Sequence, residues 1–178
     1  MNLDPVSQLV GVVATTLSVS SVAMRCDRRL RVIAGIGQAV WSHHFWLLGA
    51  PTTSATCALA CSRQLSSLFT HRWSQAHQTA IALGYYAAFT LATVLTWQGW
   101  TSLLPWSCAM IANHAYSSMS GLAMRKTLRG CDMIAIVNVV LVGSIGGLVT
   151  CVAAIALNSL TIAKLEGRAT DRLIASGS

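Results

Sequence analysis

Charge in this chain is confined to a few short clusters, and long apolar runs fill the intervals between them. Arg25, Arg28, Arg29 and Arg31 make one cluster, and Arg72 stands alone after the next interval. Arg125, Lys126 and Arg129 make another, and Lys164, Arg168 and Arg172 lie near the end. With 54% of its 178 residues apolar and 10% charged, the chain has too little polar surface for a water-soluble domain, so its expected solvent is a lipid bilayer. The net charge of +7 would suggest nucleic acid in a soluble protein. A phosphate-binding face needs a solvated surface that these runs do not leave, so nucleic acid is excluded as a partner.

A helix crosses the hydrocarbon core with about 20 residues. Divided at their breakers, the runs predict helices over 7–24, 31–49, 52–70, 79–97, 103–123, 131–145 and 147–166. The uncharged turns GAPTTS and GSIGG contain the helix-ending residues Gly and Pro. Seven spans put every basic cluster on one side, expected to be cytoplasmic, and the tryptophans of WQGWTSLLPW (Trp97, Trp100, Trp106) on the other. Six spans would mix the two. The N-terminus is then outside and the C-terminus inside. The first run has no basic segment before it, so it is expected to stay as a helix and not be removed as a signal peptide.

The chain also resembles itself. The fragment AMR occurs at 23–25 and 123–125, each time expected to end a helix, with a basic turn, a helix, a glycine turn at Gly49 or Gly143 and a further helix after it. Aligning the glycines sets His44 opposite Asn138 and Gln64 opposite Asn158. Both halves start outside, so the repeat is parallel and the fourth helix inverts the chain between them. The fold class expected is an all-α membrane protein with seven transmembrane helices, arranged as two parallel three-helix bundles joined by a linker helix. Residues 1–73 form the first bundle, 74–100 the linker, 101–166 the second bundle and 167–178 a cytoplasmic tail.

Polar side chains at membrane depth are costly, and they turn toward the bundle interior, a partner or water. Arg63, Gln64, Asn113, His114, Asn138 and Asn158 fall near the middle of their runs, and His43 and His44 in the outer half of the second. Asn and His also act as interhelical glue, at about 1 kcal/mol. Adjacent helix residues point about 100° apart, so His43 and His44 cannot share a pocket. The pairing with Asn138 selects His44 as the inward residue and leaves His43 near the outer interface beside Trp46. An inward imidazole would donate to a sugar-like or heterocyclic ligand, and its protonation would make uptake pH-sensitive. Arg63 has no acidic residue inside a span, with Asp132 expected at a cytoplasmic end and Asp27 in a loop. It either snorkels to the inner interface or attracts the anionic group of a substrate or lipid.

Cys57, Cys61, Cys108 and Cys151 lie inside apolar runs, where Cys behaves as a small hydrophobe. Cys57 and Cys61, one turn apart, would need His43 or His44 to make a metal site, and no paired CxxC supports one. No metal or cofactor is expected. No GxSxG, HExxH or phosphate-binding loop is present, so no catalytic residue is assigned and the chain is not read as an enzyme. Ser66, Ser67, Ala153, Ala154, Gly143, Gly146 and Gly147 read as close-packing positions.

The segments HFWLLGAP, LLPWSCAMIANHAYSSMSGLAMR, VGSIGG and ALNSLTIAK resemble, in order and spacing, the YgjV family of bacterial inner-membrane proteins over nearly the whole chain. The resemblance implies a multi-pass protein of the bacterial inner membrane. The family's layout is similar to that of SWEET and PnuC transporters, which implies a transporter-like 3+1+3 bundle. Ala60 and Lys164 depart from the family pattern, where Asn and Arg are expected. SWEET-like proteins line their pocket with an Asn on the third helix of each repeat; here the seventh helix keeps Asn158, and the third offers Gln64. The function expected is transport of a small polar solute by alternating access, with His44, Arg63, Gln64, Asn113, His114, Asn138 and Asn158 binding it. The alternative is a structural or regulatory membrane protein that binds lipid or a membrane partner. The bilayer is a partner in either case, and a homo-oligomer is left open.

Overall fold

The computed structural model describes residues 5–23, 27–70, 73–119 and 121–176. They form seven α-helices and no strand: α1 (Pro5–Ala23), α2 (Asp27–Leu47), α3 (Pro51–Thr70), α4 (Gln75–Leu95), α5 (Leu103–Ser118), α6 (Gly121–Val142) and α7 (Ile145–Ser176). A single 3-10 turn, Trp100–Ser102, leads into α5. Arg25 and Arg72 lie outside the described residues, as does the first AMR fragment beyond Ala23, the last residue of α1.

The helix count agrees with the apolar runs, but the boundary between the fifth and sixth helices does not. α5 stops at Ser118, where Met119 turns extended (φ −121°, ψ 158°), and α6 begins at Gly121. The second AMR fragment is therefore inside α6 and does not end a helix, and Arg125, Lys126 and Arg129 are helical where a basic turn was expected. The run AMRKTLR consists almost wholly of strong helix formers, and the weak former Gly121 opens α6 just before it. Asp132 moves with this correction: it is the twelfth residue of α6, well inside the helix. α7 continues through 167–176, the segment expected to be a separate tail.

Two helices, Gln75–Leu95 and the Ile145–Ala163 part of α7, are long and apolar enough by themselves to cross a membrane. α5, at 16 residues, is shorter than the roughly 20 needed. α3 spends much of its first turns on Thr52, Thr53, Ser54 and Thr56, all buried against neighbours.

The two glycine turns have the same hydrogen bonds. Gly49 (φ +71°) donates to the Trp46 carbonyl at 3.0 Å and Ala50 to that of Phe45 at 2.9 Å. Gly143 (φ +78°) donates to Val140 at 3.1 Å and Ser144 to Val139 at 2.9 Å. Each pair of bonds closes a helix end around a left-handed residue, and that conformation favours glycine. Pro51 follows as the first residue of α3, where its fixed φ suits a helix start. No atom lies within 4 Å of a Cβ placed on Gly49, so only the backbone resists a side chain there. Gly49→Ala should cost about 1–2 kcal/mol in equilibrium unfolding, and Gly49→Asn clearly less. An alanine variant as stable as the parent would count against this turn.

α1 packs on α2, α2 on α3, α5 on α6 and α6 on α7. α3 also meets α5, α1 meets α7, and α4 lies against both α3 and α5. Apart from α4, the helices thus close into a ring. Exchanging α1 with α5, α2 with α6 and α3 with α7 leaves this set of contacts unchanged, as a two-fold repeat requires. Small residues close the α1–α7 seam: Thr15 Oγ1 donates toward the Gly11 carbonyl at 2.8 Å and the Gly146 carbonyl at 3.0 Å, and Thr150 Oγ1 donates to Thr15 at 3.0 Å. The apolar core of Ala14, Trp41, Phe45, Ala50, Val139 and Cys151 lies toward the Gly49 and Gly143 turns. Away from those turns burial is uneven: among the described side chains none is buried over 57–69 of α3 or 122–130 of α6, whereas Ser21, Ala115 and Ile162 are.

Candidate functional site

His44 is 0% exposed and is held on two sides by other helices. Nδ1 lies 2.7 Å from the Ser7 carbonyl of α1, and Nε2 lies 2.7 Å from Ser144 Oγ in the α6–α7 turn. A carbonyl can only accept, so Nδ1 carries the proton and the neutral ring takes Ser144 O–H at Nε2. The Ser144 oxygen in turn accepts the Gly147 N–H at 3.0 Å. Trp41 and Phe45 pack on the ring from α2 itself, with centroids 5.2 and 5.3 Å away. Both nitrogens are occupied, so this imidazole has no lone pair free for a metal shared with Cys57 and Cys61.

Asn138, the repeat equivalent of His44, makes the reciprocal contact. It is 6% exposed, and Nδ2 donates to Thr53 Oγ1 at 3.3 Å. His44 reaches from the first half to the glycine turn of the second, and Asn138 reaches from the second half to the residues following the glycine turn of the first. The two halves are cross-braced at this end.

Beside the brace is a polar cleft of about 100 Å³, lined by Thr52, Thr53, Gln98, Thr101, Ser102 and Asn138 among others. Thr52 Oγ1 donates to the Thr96 carbonyl at 2.6 Å and lies 3.1 Å from Ser102 Oγ, tying the start of α3 to the end of α4. Pockets for drug-sized ligands run to roughly 300–1,000 Å³, so in this state the cleft holds a few waters at most.

The other predicted residues are not gathered here. Arg63 lies on the opposite half of the bundle, its guanidinium 4.3 Å from the centroid of the Tyr116 ring across the α3–α5 seam. Gln64 lies beside the same tyrosine. Asn158 accepts from Arg125 at 3.5 Å and lies beside Asp132. Asn113 is 1% exposed, and Nδ2 donates to the Ala82 carbonyl of α4 at 3.1 Å, while Oδ1 has no partner. His114, the next residue, is exposed and does not join the interior. His43 lines an open apolar groove with Leu9, Val13, Ile36 and Val40, beside the exposed Trp46.

Sequence reasoning selected His44 and Asn138 but missed their partners Ser7, Thr53 and Ser144, and also Gly11. A Cβ on Gly11 would stand 2.8 Å from His44 Cε1, so this glycine is what makes room for the ring. Thr53 and Ser144 stand in the uncharged turns, which was their only pointer, and Ser7 and Gly11 in α1 had none.

A family model described as Imp-YgjV, bacterial inner membrane protein, matches residues 5–169. No curated protein and no solved structure matches the chain.

Proposed function

The chain belongs to the Imp-YgjV family of bacterial inner membrane proteins, and from that premise we propose that it is a multi-pass transporter of a small polar solute. It works by alternating access. Two parallel three-helix units, residues 1–73 and 101–166, rock against each other about the linker at 74–100, in the manner of a SWEET-like 3+1+3 bundle with its N-terminus outside. The observation that carries the reading is the reciprocal brace of His44 on Ser144 and Asn138 on Thr53 at one end, set against the absence of buried described side chains over 57–69 of α3 and 122–130 of α6 toward the other. A closed outer gate and a looser inner half are what an inward-facing state needs. Opening outward would break both braces together, because repeat symmetry makes them equivalent.

Single cysteines in an otherwise Cys-free chain test this. At positions 64 and 158, a membrane-impermeant maleimide should react from the cytoplasmic face at least about tenfold faster than at position 56, which is buried next to the brace. Equal protection at all three positions from both faces would sink the transport reading. A specific observation favours a second reading: Asn113 and His44 use their hydrogen bonds between helices, as glue does. On that reading the protein is a structural or regulatory membrane component that binds lipid or a membrane partner, and the core stays dry.

A further inference from the structure

Away from the glycine turns, arginine outnumbers carboxylate. Among the described side chains the carboxylates are Asp132, beside Asn158, and Glu166, ion-paired with Lys126 at 2.7 Å. No described carboxylate is within ion-pair distance of Arg31, Arg63, Arg125 or Arg129. Flanking basic residues at a helix end are the ordinary positive-inside pattern. Arg63 is not one of them: it stands seven residues before the end of α3, about 10 Å along the axis at 1.5 Å per residue. Its guanidinium rests on Tyr116 of α5, on the seam between the two halves, with Arg31 close enough to repel it.

The surrounding groups repeat. Arg31 Nη1 donates to the Ser67 carbonyl of α3 at 3.2 Å. Its repeat equivalent, Arg125, lies 3.5 Å from Asn158 Oδ1 on α7, and Asn158 is itself the equivalent of Gln64. Each half thus sets an arginine from the start of its second helix beside a third helix carrying a side-chain amide. Each of these guanidinia has five N–H donors and uses few of them on neutral partners. A planar guanidinium already stacked on an aromatic ring is oriented to accept a carboxylate or phosphate in two-pronged fashion.

We infer that the α3–α5 seam in the basic half of the bundle is an anion-binding site, in which Arg63, with Arg31 and Gln64 beside it, takes up a carboxylate or phosphate group. This names the substrate class of the proposed transporter and rests on that reading for transport only. The same chemistry is offered by a soluble organic anion and by an anionic lipid headgroup.

The test uses the full chain in nanodiscs of neutral phosphatidylcholine, with inorganic phosphate as the probe at fixed ionic strength and thermal unfolding as the readout. Phosphate should raise the unfolding temperature. Arg63→Gln should weaken its apparent affinity on the order of tenfold or more, and Arg63→Lys by less. Lys126→Gln removes the same charge outside the site and should leave the affinity within about twofold. Should Arg63→Gln not be recovered folded, Arg31→Gln and Gln64→Ala are to be read in its place, each with several-fold weakening. If phosphate has no effect but phosphatidylglycerol in the nanodisc stabilises the parent and not Arg63→Gln, the anionic group is a lipid headgroup and the site stands. If neither ligand stabilises, or Lys126→Gln weakens phosphate as much as Arg63→Gln does, the anion site is overturned. Phosphate binding retained alongside uniformly unreactive cysteines at positions 64 and 158 would remove transport and leave the site in place.

Discussion

Replacing His44 by alanine should destabilise the protein by about 3 kcal/mol, the largest single loss expected from a polar residue in this chain. The ring is fully buried, so its removal leaves a void against Trp41 and Phe45, and both its hydrogen bonds at 2.7 Å go with it. The Ser7 carbonyl and the Ser144 hydroxyl remain behind in a place water reaches poorly. Ser144→Ala should cost less, about 1–2 kcal/mol, because the ring still fills its space and keeps Ser7. The double variant should fall short of the sum, since the two changes remove one shared bond. Equilibrium unfolding in mixed micelles measures all three; an alanine variant within 0.5 kcal/mol of the parent, about the size of an ordinary surface change, would mean the brace does not exist.

Gly146→Ala should be nearly as damaging for the opposite reason, an added atom with no room. Its Cβ would stand 2.9 Å from both the carbonyl carbon and the oxygen of Gly11, and backbone cannot swing aside as a side chain does. α1 and α7 would have to separate, stretching the Thr15 and Thr150 bonds that cross the seam. A loss of about 2–3 kcal/mol is expected. Gly11→Ala should behave alike, because its Cβ meets the imidazole of His44 at 2.8 Å and that ring is fixed at both nitrogens. Gly84→Ala is the control. Nothing lies within 4 Å of its Cβ in α4, so the better helix propensity of alanine should be neutral or stabilise by up to about 1 kcal/mol. If all three variants unfold alike, close approach at the α1–α7 seam is not what those glycines provide.

The periodic and punctuating features were legible in the sequence. Seven apolar runs became seven helices, and two glycines became twin turns, because Gly and Pro act on the chain locally. The α5–α6 boundary was misplaced because the AMR match drew the expected helix end past Ser118, where α5 stops. His44 was picked as the inward histidine from its alignment with Asn138, and its ring is buried. Its partners were not picked, since Ser7 and Ser144 are ordinary serines until a fold brings them to the ring. His114 shows a signal left unused: it adjoins Asn113, and the 100° argument that separated His43 from His44 applies equally to this pair. Asn113 is the buried one.

The ring of helices also sets an order in time. His44 and Ser144 are 100 residues apart. At a synthesis rate of about 5–20 residues per second, the imidazole is made roughly 5–20 s before the serine that receives it. Over the same interval Thr15 of α1 lacks the Gly146 carbonyl and the Thr150 hydroxyl that meet it across the seam, because α7 is made after α1 to α6. The first three helices therefore enter the bilayer with an unfinished polar edge. Any truncation that stops before the Gly143 turn leaves that edge permanently facing lipid, and the first half is expected to be degraded when made alone.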